Sequence, residues 1–321
     1  MNAGTAPEER QMLRQTVAAL VDKHAGPEAV RRAIDSERGY DEALWAMLCE
    51  QVGAAALVVP EDLGGAGGEL ADAAAVLEEL GRGLVPSPLF STTLAELALL
   101  AAEAPDTDTL EELAAGHLIG TVAFDRDYVV SGDVADVVLE VVDGRVVRWT
   151  GPTAQALTPL DPTRRLARLT PAGTTVIGPD PGLADMAAVL LAAEQVGAAS
   201  RCLELTVEYT KQRVQFGRPI GSFQALKHRM ADLYVAVQSA RAVVGEALAA
   251  LTPVTAARAG LAAGEAFTTV AGEAIQLHGG IAITWEHDMH LYFKRAHSSA
   301  QLFGPPREYL RRLESQVLGD R

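Results

Sequence analysis

Residues Lys211 to Gln224 read KQRVQFGRPIGSFQ and stand between two long apolar-periodic segments, about Met186 to Lys211 and Ser222 to Leu251. Glycine and proline punctuate the stretch, so it is a turn joining two helices. It carries Arg213, Gln215, Phe216 and Gln224. A second such loop, QLHGGIAIT from Gln276 to Thr284, follows a third helical run from Pro253 to Leu277. Two polar, glycine-bearing loops at helix ends point to a bound ligand rather than mere connection. At Arg213 a guanidinium offers a planar fork for a pyrophosphate, and Phe216 offers a ring that can pack on an aromatic edge. Gln224 can hydrogen-bond a phosphate or a ribose. The plain alternative for Arg213 is a helix C-terminal cap. For Gly279 and Gly280 it is a glycine cap of the preceding helix, which is compatible with a ligand approaching the backbone.

Outward from these loops the C-terminal part is helical from Leu183, with shorter helices at about Glu286 to Leu302 and Pro306 to Val317. Ala- and Leu-rich faces suit antiparallel packing. The N-terminal part also reads as helices, over Glu8 to His24, Pro27 to Asp35, Asp41 to Val52, Glu69 to Gly81 and Leu89 to Ala104. Between them, from Leu118 to about Ile177, lie the short β-branched runs GTVAF, YVVSG, VVLEVV, RVVRWT and TTVIG, which predict a small antiparallel β unit. The boundaries expected are 1–116 for an N-terminal helical domain, 117–181 for a reduced middle β domain and 182–321 for a C-terminal helical bundle. The fold class is α+β by segment, mainly α with a small β domain, and not alternating βαβ, which argues against a Rossmann cofactor site.

Hydrophobic residues make up 49% and charged residues 21% of 321, enough for a large core. The net charge of −15 and the lack of a Lys/Arg-rich run argue against nucleic acid as a partner. An anionic ligand therefore needs a few well-placed arginines or helix N-termini. Cys49 and Cys202 lie in apolar helical patterns and read as buried free thiols, which fits a reducing cytoplasm. The N-terminus MNAGTAPEERQML lacks a signal-peptide core, and no uninterrupted apolar run of about 18 residues predicts a membrane span. The glycines of EDLGGAGG lack a following GK[ST], which excludes a P-loop. His287 and His290, beside Glu286 and Asp288, have a metal-like composition. No HExxH pattern or cysteine supports them, so no metal is expected. Asp125, Asp127 and Asp133 read as turn formers.

KQRVQFGRPIGSFQALKHRMADL and AIQLHGGIAITWEHDMHLYFKRA resemble the two C-terminal signatures of acyl-CoA dehydrogenases, and WAMLCEQVGAAALVVPEDLGGAGG with VLEELGR resembles that family's N-terminal domain. Three motifs in the right order cover nearly the whole chain. The resemblance implies an N-terminal helical domain, a reduced middle β-barrel and a C-terminal four-helix bundle, with bundles packed into dimers of dimers. It implies FAD as cofactor and an acyl-CoA as substrate. It also implies that Arg213, Phe216, Gln224, Gln276, Gly279 and Gly280 clasp the ADP half of FAD across a subunit interface.

The departures from the family are as informative. The catalytic glutamate that the family carries after the second signature is replaced by Phe303, and its alternative position on the first bundle helix falls on Ala187. Neither can take a proton, so no catalytic base is expected in this chain. Glu194, on the same helix as Ala187, is the weak alternative; its plain reading is a solvated or interface carboxylate. The ring-lining segment of the middle domain is missing, with only DRDYVV between Phe124 and Ser131, and Ala282 stands where a glycine is usual. Match and departure together resemble the shortened, base-lacking subunit of actinobacterial heterotetrameric acyl-CoA dehydrogenases, with a longer homologue as partner and steroid-derived acyl-CoA as the substrate class. The alternatives are a self-sufficient homo-oligomer with a relocated base, and a non-enzymatic scaffold of the same fold.

Overall fold

The computed structural model describes residues 7–318. Six helices come first: α1 (Pro7–His24), α2 (Pro27–Ile34), α3 (Glu42–Val52), α4 (Leu70–Arg82), α5 (Leu89–Leu100) and α6 (Thr107–Ala114). Local chemistry sets their ends. Asp41 accepts from the N–H groups of Ala43 and Leu44 at 2.9 and 3.0 Å, and Gly53, at φ +69°, closes α3 in the left-handed conformation. Glu69 and Asp72 form a reciprocal cap on α4. Helix α6 escapes the apolar pattern because it is short; Asp106 caps it by accepting from Thr109.

Seven strands follow: β1 (Gly120–Ala123), β2 (Val129–Val130), β3 (Val137–Val142), β4 (Arg145–Thr150), β5 (Thr153–Ala156), β6 (Leu166–Thr170) and β7 (Gly173–Pro179). They form two sheets, ordered β1-β3-β4-β7 and β2-β6-β5. The expectation of an all-antiparallel unit needs one correction, since β1 pairs with β3 in parallel. The connection between those two strands carries β2 into the other sheet, so they are not joined by a hairpin. Strand β5 is exposed at all four residues and carries no β-branched run, which is why the pattern did not show it. Val129, Val138, Val147, Trp149, Ala167 and Leu169 form the core between the sheets.

The bundle is α7 (Leu183–Gln212), α8 (Gln224–Ala249), α9 (Pro253–His278), α10 (Met289–Ser299) and α11 (Pro306–Leu318). Between α7 and α8 sits the hairpin β8 (Val214–Gln215) and β9 (Arg218–Pro219). Helix α7 is long and apolar enough to cross a membrane by length and composition, but 83% of its most apolar window is buried inside the protein. It crosses α4 backbone to backbone. A Cβ on Gly197 would stand 1.9 Å from the Glu78 carbonyl oxygen, and one on Gly81 would stand 2.2 Å from that of Glu194. Two glycines thus let the N-terminal helices reach the centre of the bundle, and this contact places Glu194 among the three layers.

Candidate functional site

Helix α7 ends where the Arg213 N–H donates to the Tyr209 carbonyl at 2.9 Å and Arg213 turns extended, with ψ 116°. The β8–β9 hairpin is turned by Phe216 and Gly217, both at positive φ, +54° and +76°. A tight two-residue hairpin demands that conformation, and a bulky residue pays for it with strain. The Phe216 ring stands in solvent, 92% exposed, edge-on to Phe223 at 6.2 Å. The Arg213 guanidinium is exposed and has no hydrogen bond or ion pair among the described residues. It therefore caps no helix carbonyl; the backbone alone closes α7. Gln224 is the first residue of α8 and is exposed.

The second loop lies at the same end of the bundle. Arg229 of α8 reaches Glu273 of α9 at 3.4 Å, so the start of one helix adjoins the end of the other. Gln276 is exposed on the last turn of α9. Gly279 takes φ +67° and ψ −149°, a conformation open essentially to glycine alone. No atom lies within 4 Å of the point where a Cβ would sit on Gly279 or on Gly280. An unpaired guanidinium, an exposed aromatic ring and a Cβ-free stretch of backbone fit the diphosphate and adenosine half of a dinucleotide. Ala282 is fully buried, so its methyl group enters the core instead of this surface.

The interior is arranged differently. Phe303, at φ +58°, stacks on Phe90 of α5 with ring centroids 5.5 Å apart, and meets Phe124 edge-on at 5.0 Å. Three phenyl rings from three parts of the chain fill the junction of the layers. Ala187 is fully buried on α7. Glu194 corrects the reading of a solvated or interface carboxylate, because it is 6% exposed and ion-paired. Arg295 Nη1 donates to it at 2.6 Å, and Arg164 pairs with the same oxygen. Burial alone would push its pKa up, but the two guanidiniums outweigh burial and hold it below the ordinary glutamate range. Arg295 also lies 2.6 Å from Asp161 and donates to Thr163. Arg164 stands 5.6 Å over the Phe90 ring, which joins the ionic cluster to the aromatic one. The cavity beside them, lined by Tyr40, Ser131 and Arg164 among others, measures about 30 Å³, room for about one water. It has no space for a flavin ring.

Sequence reasoning missed Asp161, Thr163, Arg164 and Arg295. One signal was present: a charge at Glu194 inside the run AVLLAAEQVGAA must find a buried partner. The histidines separate as well. His287 precedes α10 and packs on His278 at 4.9 Å, while His290 packs on Trp285 at 4.8 Å. Among the described residues no group of three or more His, Cys, Asp or Glu side chains could hold a metal.

The family model "Acyl-CoA dehydrogenase, N-terminal domain" matches residues 7–117, and "Acyl-CoA dehydrogenase, C-terminal domain" matches 181–316. This chain belongs to the acyl-CoA dehydrogenase family. It is 70% identical over 313 residues to acyl-CoA dehydrogenase IpdE2 of Mycobacterium tuberculosis, covering 98% of each chain. Acyl-CoA dehydrogenase FadE27 of the same organism is 31% identical over 366 residues, again with 98% of each chain covered. Among solved structures, the Tcur3481-Tcur3483 steroid ACAD G363A variant superposes with a TM-score of 0.91 at 28% identity, over 98% of this chain and 99% of that one. The ChsE4-ChsE5 complex from Mycobacterium tuberculosis gives 0.89 at 27% identity, over 99% of each. The family's members are oxidoreductases, and its helical, β and helical segments are those described above.

Proposed function

We propose that this acyl-CoA dehydrogenase is one of two unlike subunits of an FAD-dependent complex that introduces an α,β double bond into an acyl-CoA thioester. On this reading a longer homologue carries the catalytic base and the wall of the flavin ring. This chain contributes Arg213, Phe216, Gln224, Gln276, Gly279 and Gly280 to the ADP half. The observation that carries the reading is an opposition within one chain. The position of the family's base holds Phe303, packed between Phe90 and Phe124, while the Arg213 guanidinium faces outward with no partner among the described residues and the Gly279–Gly280 backbone is exposed beside open space. The FAD that these residues would help to hold would supply the hydride acceptor of the dehydrogenation. This chain's own part is to hold a diphosphate by the charge of Arg213 and by close approach of the Cβ-free backbone at Gly279 and Gly280. Glu194 is a structural ion: a carboxylate stabilised by two buried guanidiniums is a poor base. Two structural neighbours, the Tcur3481-Tcur3483 steroid ACAD variant and the ChsE4-ChsE5 complex, support a steroid-derived acyl-CoA and a paired assembly. We place the complex in the cytoplasm, in keeping with two buried free cysteines.

The test is co-expression with a longer acyl-CoA dehydrogenase chain encoded beside it, followed by flavin quantification. The chain alone should hold little FAD, and the complex should hold fewer flavins than polypeptides. A yellow homo-oligomer with one FAD per chain refutes the reading. Within the complex, Arg213→Ala removes a charge-assisted pair of about 1.5–3 kcal/mol. FAD affinity should therefore fall about 10- to 150-fold at about 1.4 kcal/mol per decade, with the assembly intact. Arg213→Lys should recover part, since it keeps the charge and loses the fork. Unchanged affinity with a lowered Tm would return Arg213 to a purely structural role.

A further inference from the structure

Arg213 and Gly279 belong to different helices, and a shared clasp requires their loops to keep a fixed separation. Tyr209 meets both. It sits on the last turn of α7, partly buried, and its carbonyl accepts the Arg213 N–H at 2.9 Å. Its hydroxyl donates to the His278 carbonyl at 3.2 Å, in the peptide that leads into Gly279. Its ring stacks on the His278 ring, with centroids 4.2 Å apart and planes 23° from parallel. His278 is itself fixed, with Nδ1 at 2.9 Å from the Ala274 carbonyl, and His287 packs edge-on against both rings at 4.9 and 6.5 Å. The ion pairs Arg229–Glu273 and Arg258–Glu246 between α8 and α9 have side chains 35 to 53% exposed, a class of contact worth little.

We infer that Tyr209 is a positioning residue: its hydroxyl and ring set the Arg213 loop against Gly279–Gly280 so that the guanidinium and the glycine backbone meet one diphosphate. This rests on the clasp reading above. The hydroxyl fixes the plane of the His278–Gly279 peptide from one side. The ring stack fixes the distance between the helix ends. Neither group needs to touch the cofactor. A side chain that acts in this way changes affinity for the ADP half and leaves the ring half alone.

The test uses the assembled complex and compares FAD with riboflavin, which has the ring and lacks the ADP half. Tyr209→Phe keeps the stack and removes one neutral hydrogen bond. FAD affinity should fall about 2- to 10-fold, with riboflavin affinity and assembly unchanged. Tyr209→Leu also removes the stack and should weaken FAD further, again without an effect on riboflavin. Equal losses for FAD and riboflavin overturn the inference, because they report general loosening. An unchanged FAD affinity in both variants, where Arg213→Ala does weaken FAD, overturns it while leaving the clasp standing. If Arg213→Ala also has no effect, clasp and inference fall together.

Discussion

Removing Glu194 separates its two roles. In Glu194→Ala, Arg164 and Arg295 remain buried, 6% and 4% exposed, with Asp161 as the remaining carboxylate of the cluster. Breaking a buried pair by deleting one partner costs about 3–5 kcal/mol, because a charge is left uncompensated. The entropy of unfolding is about 2.1 cal/mol/K per residue. For 321 residues that is about 0.7 kcal/mol/K, so the melting temperature should drop by about 4–7 °C. Arg164→Met combined with Glu194→Leu should lose less than the sum of the single changes, since replacing the whole pair leaves no stranded charge. Melting by circular dichroism or calorimetry reads both. The pH dependence has a defined sign. The carboxyl is held below its unfolded value, so its stabilisation is present above about pH 4.3 and is lost as pH falls through the folded value. The gap between wild type and Glu194→Gln should therefore close in acid. An unchanged melting temperature, with turnover of the assembled complex reduced by about two orders of magnitude or more, would refute this reasoning and make Glu194 the base.

Phe303→Glu in the isolated chain should give no dehydrogenation and a lower melting temperature, since a carboxylate enters the Phe90–Phe124 cluster; measurable turnover of an acyl-CoA would contradict it. Glu96 is fully buried on α5 with neither carboxyl oxygen hydrogen-bonded, and desolvation holds its pKa well above the usual range. Its contribution is thus complete below about pH 4.3 and falls as pH rises, by up to about tenfold in the unfolding constant per pH unit. Glu96→Gln should remove that slope, and a stability difference that stays flat between acid and neutral pH would count against it. Gly197→Ala should cost about 1–3 kcal/mol, because the new Cβ meets the Glu78 carbonyl and pushes α4 off α7. An unaltered melting temperature would show that the helices separate freely.

The sequence made the helices of the bundle legible because their apolar faces repeat over many turns, and the observed ends of α8 and α9 fall close to those expected. The two loops at this end of the bundle were legible for a related reason: glycine and proline break a strong periodic signal sharply. Strands β5 and β6 were not, since TAQA and LARLT alternate weakly. The ion cluster was invisible because its members lie far apart in the chain, with Asp161 and Arg164 on a loop, Glu194 on α7 and Arg295 on α10. A local pattern carries Glu194 as an anomaly and cannot name its partners. Tyr209 was passed over because a lone tyrosine in a helix reads as packing; its meaning comes from the His278 carbonyl across the bundle.

The filled interior and the open clasp bear on each other through linkage. Phe303, Phe90 and Arg164 pack on one another, so the interior there is held without a ligand. The proposed clasp carries the reverse condition at Arg213, whose exposed guanidinium has no partner among the described residues, while Gly279 also closes α9 by donating to the Ile275 carbonyl. On the proposed reading, the binding free energy of this arginine is realised only when a partner brings the rest of the cofactor. A ligand that binds the assembled state alone, at a hundred times its Kd, adds about 2.7 kcal/mol to that state. By reciprocity, the factor by which bound cofactor tightens assembly equals the factor by which assembly tightens the cofactor. On the proposed reading, a subunit without a base of its own would thus still govern how tightly flavin and partner are held, through an arginine that is unpaired in the chain alone.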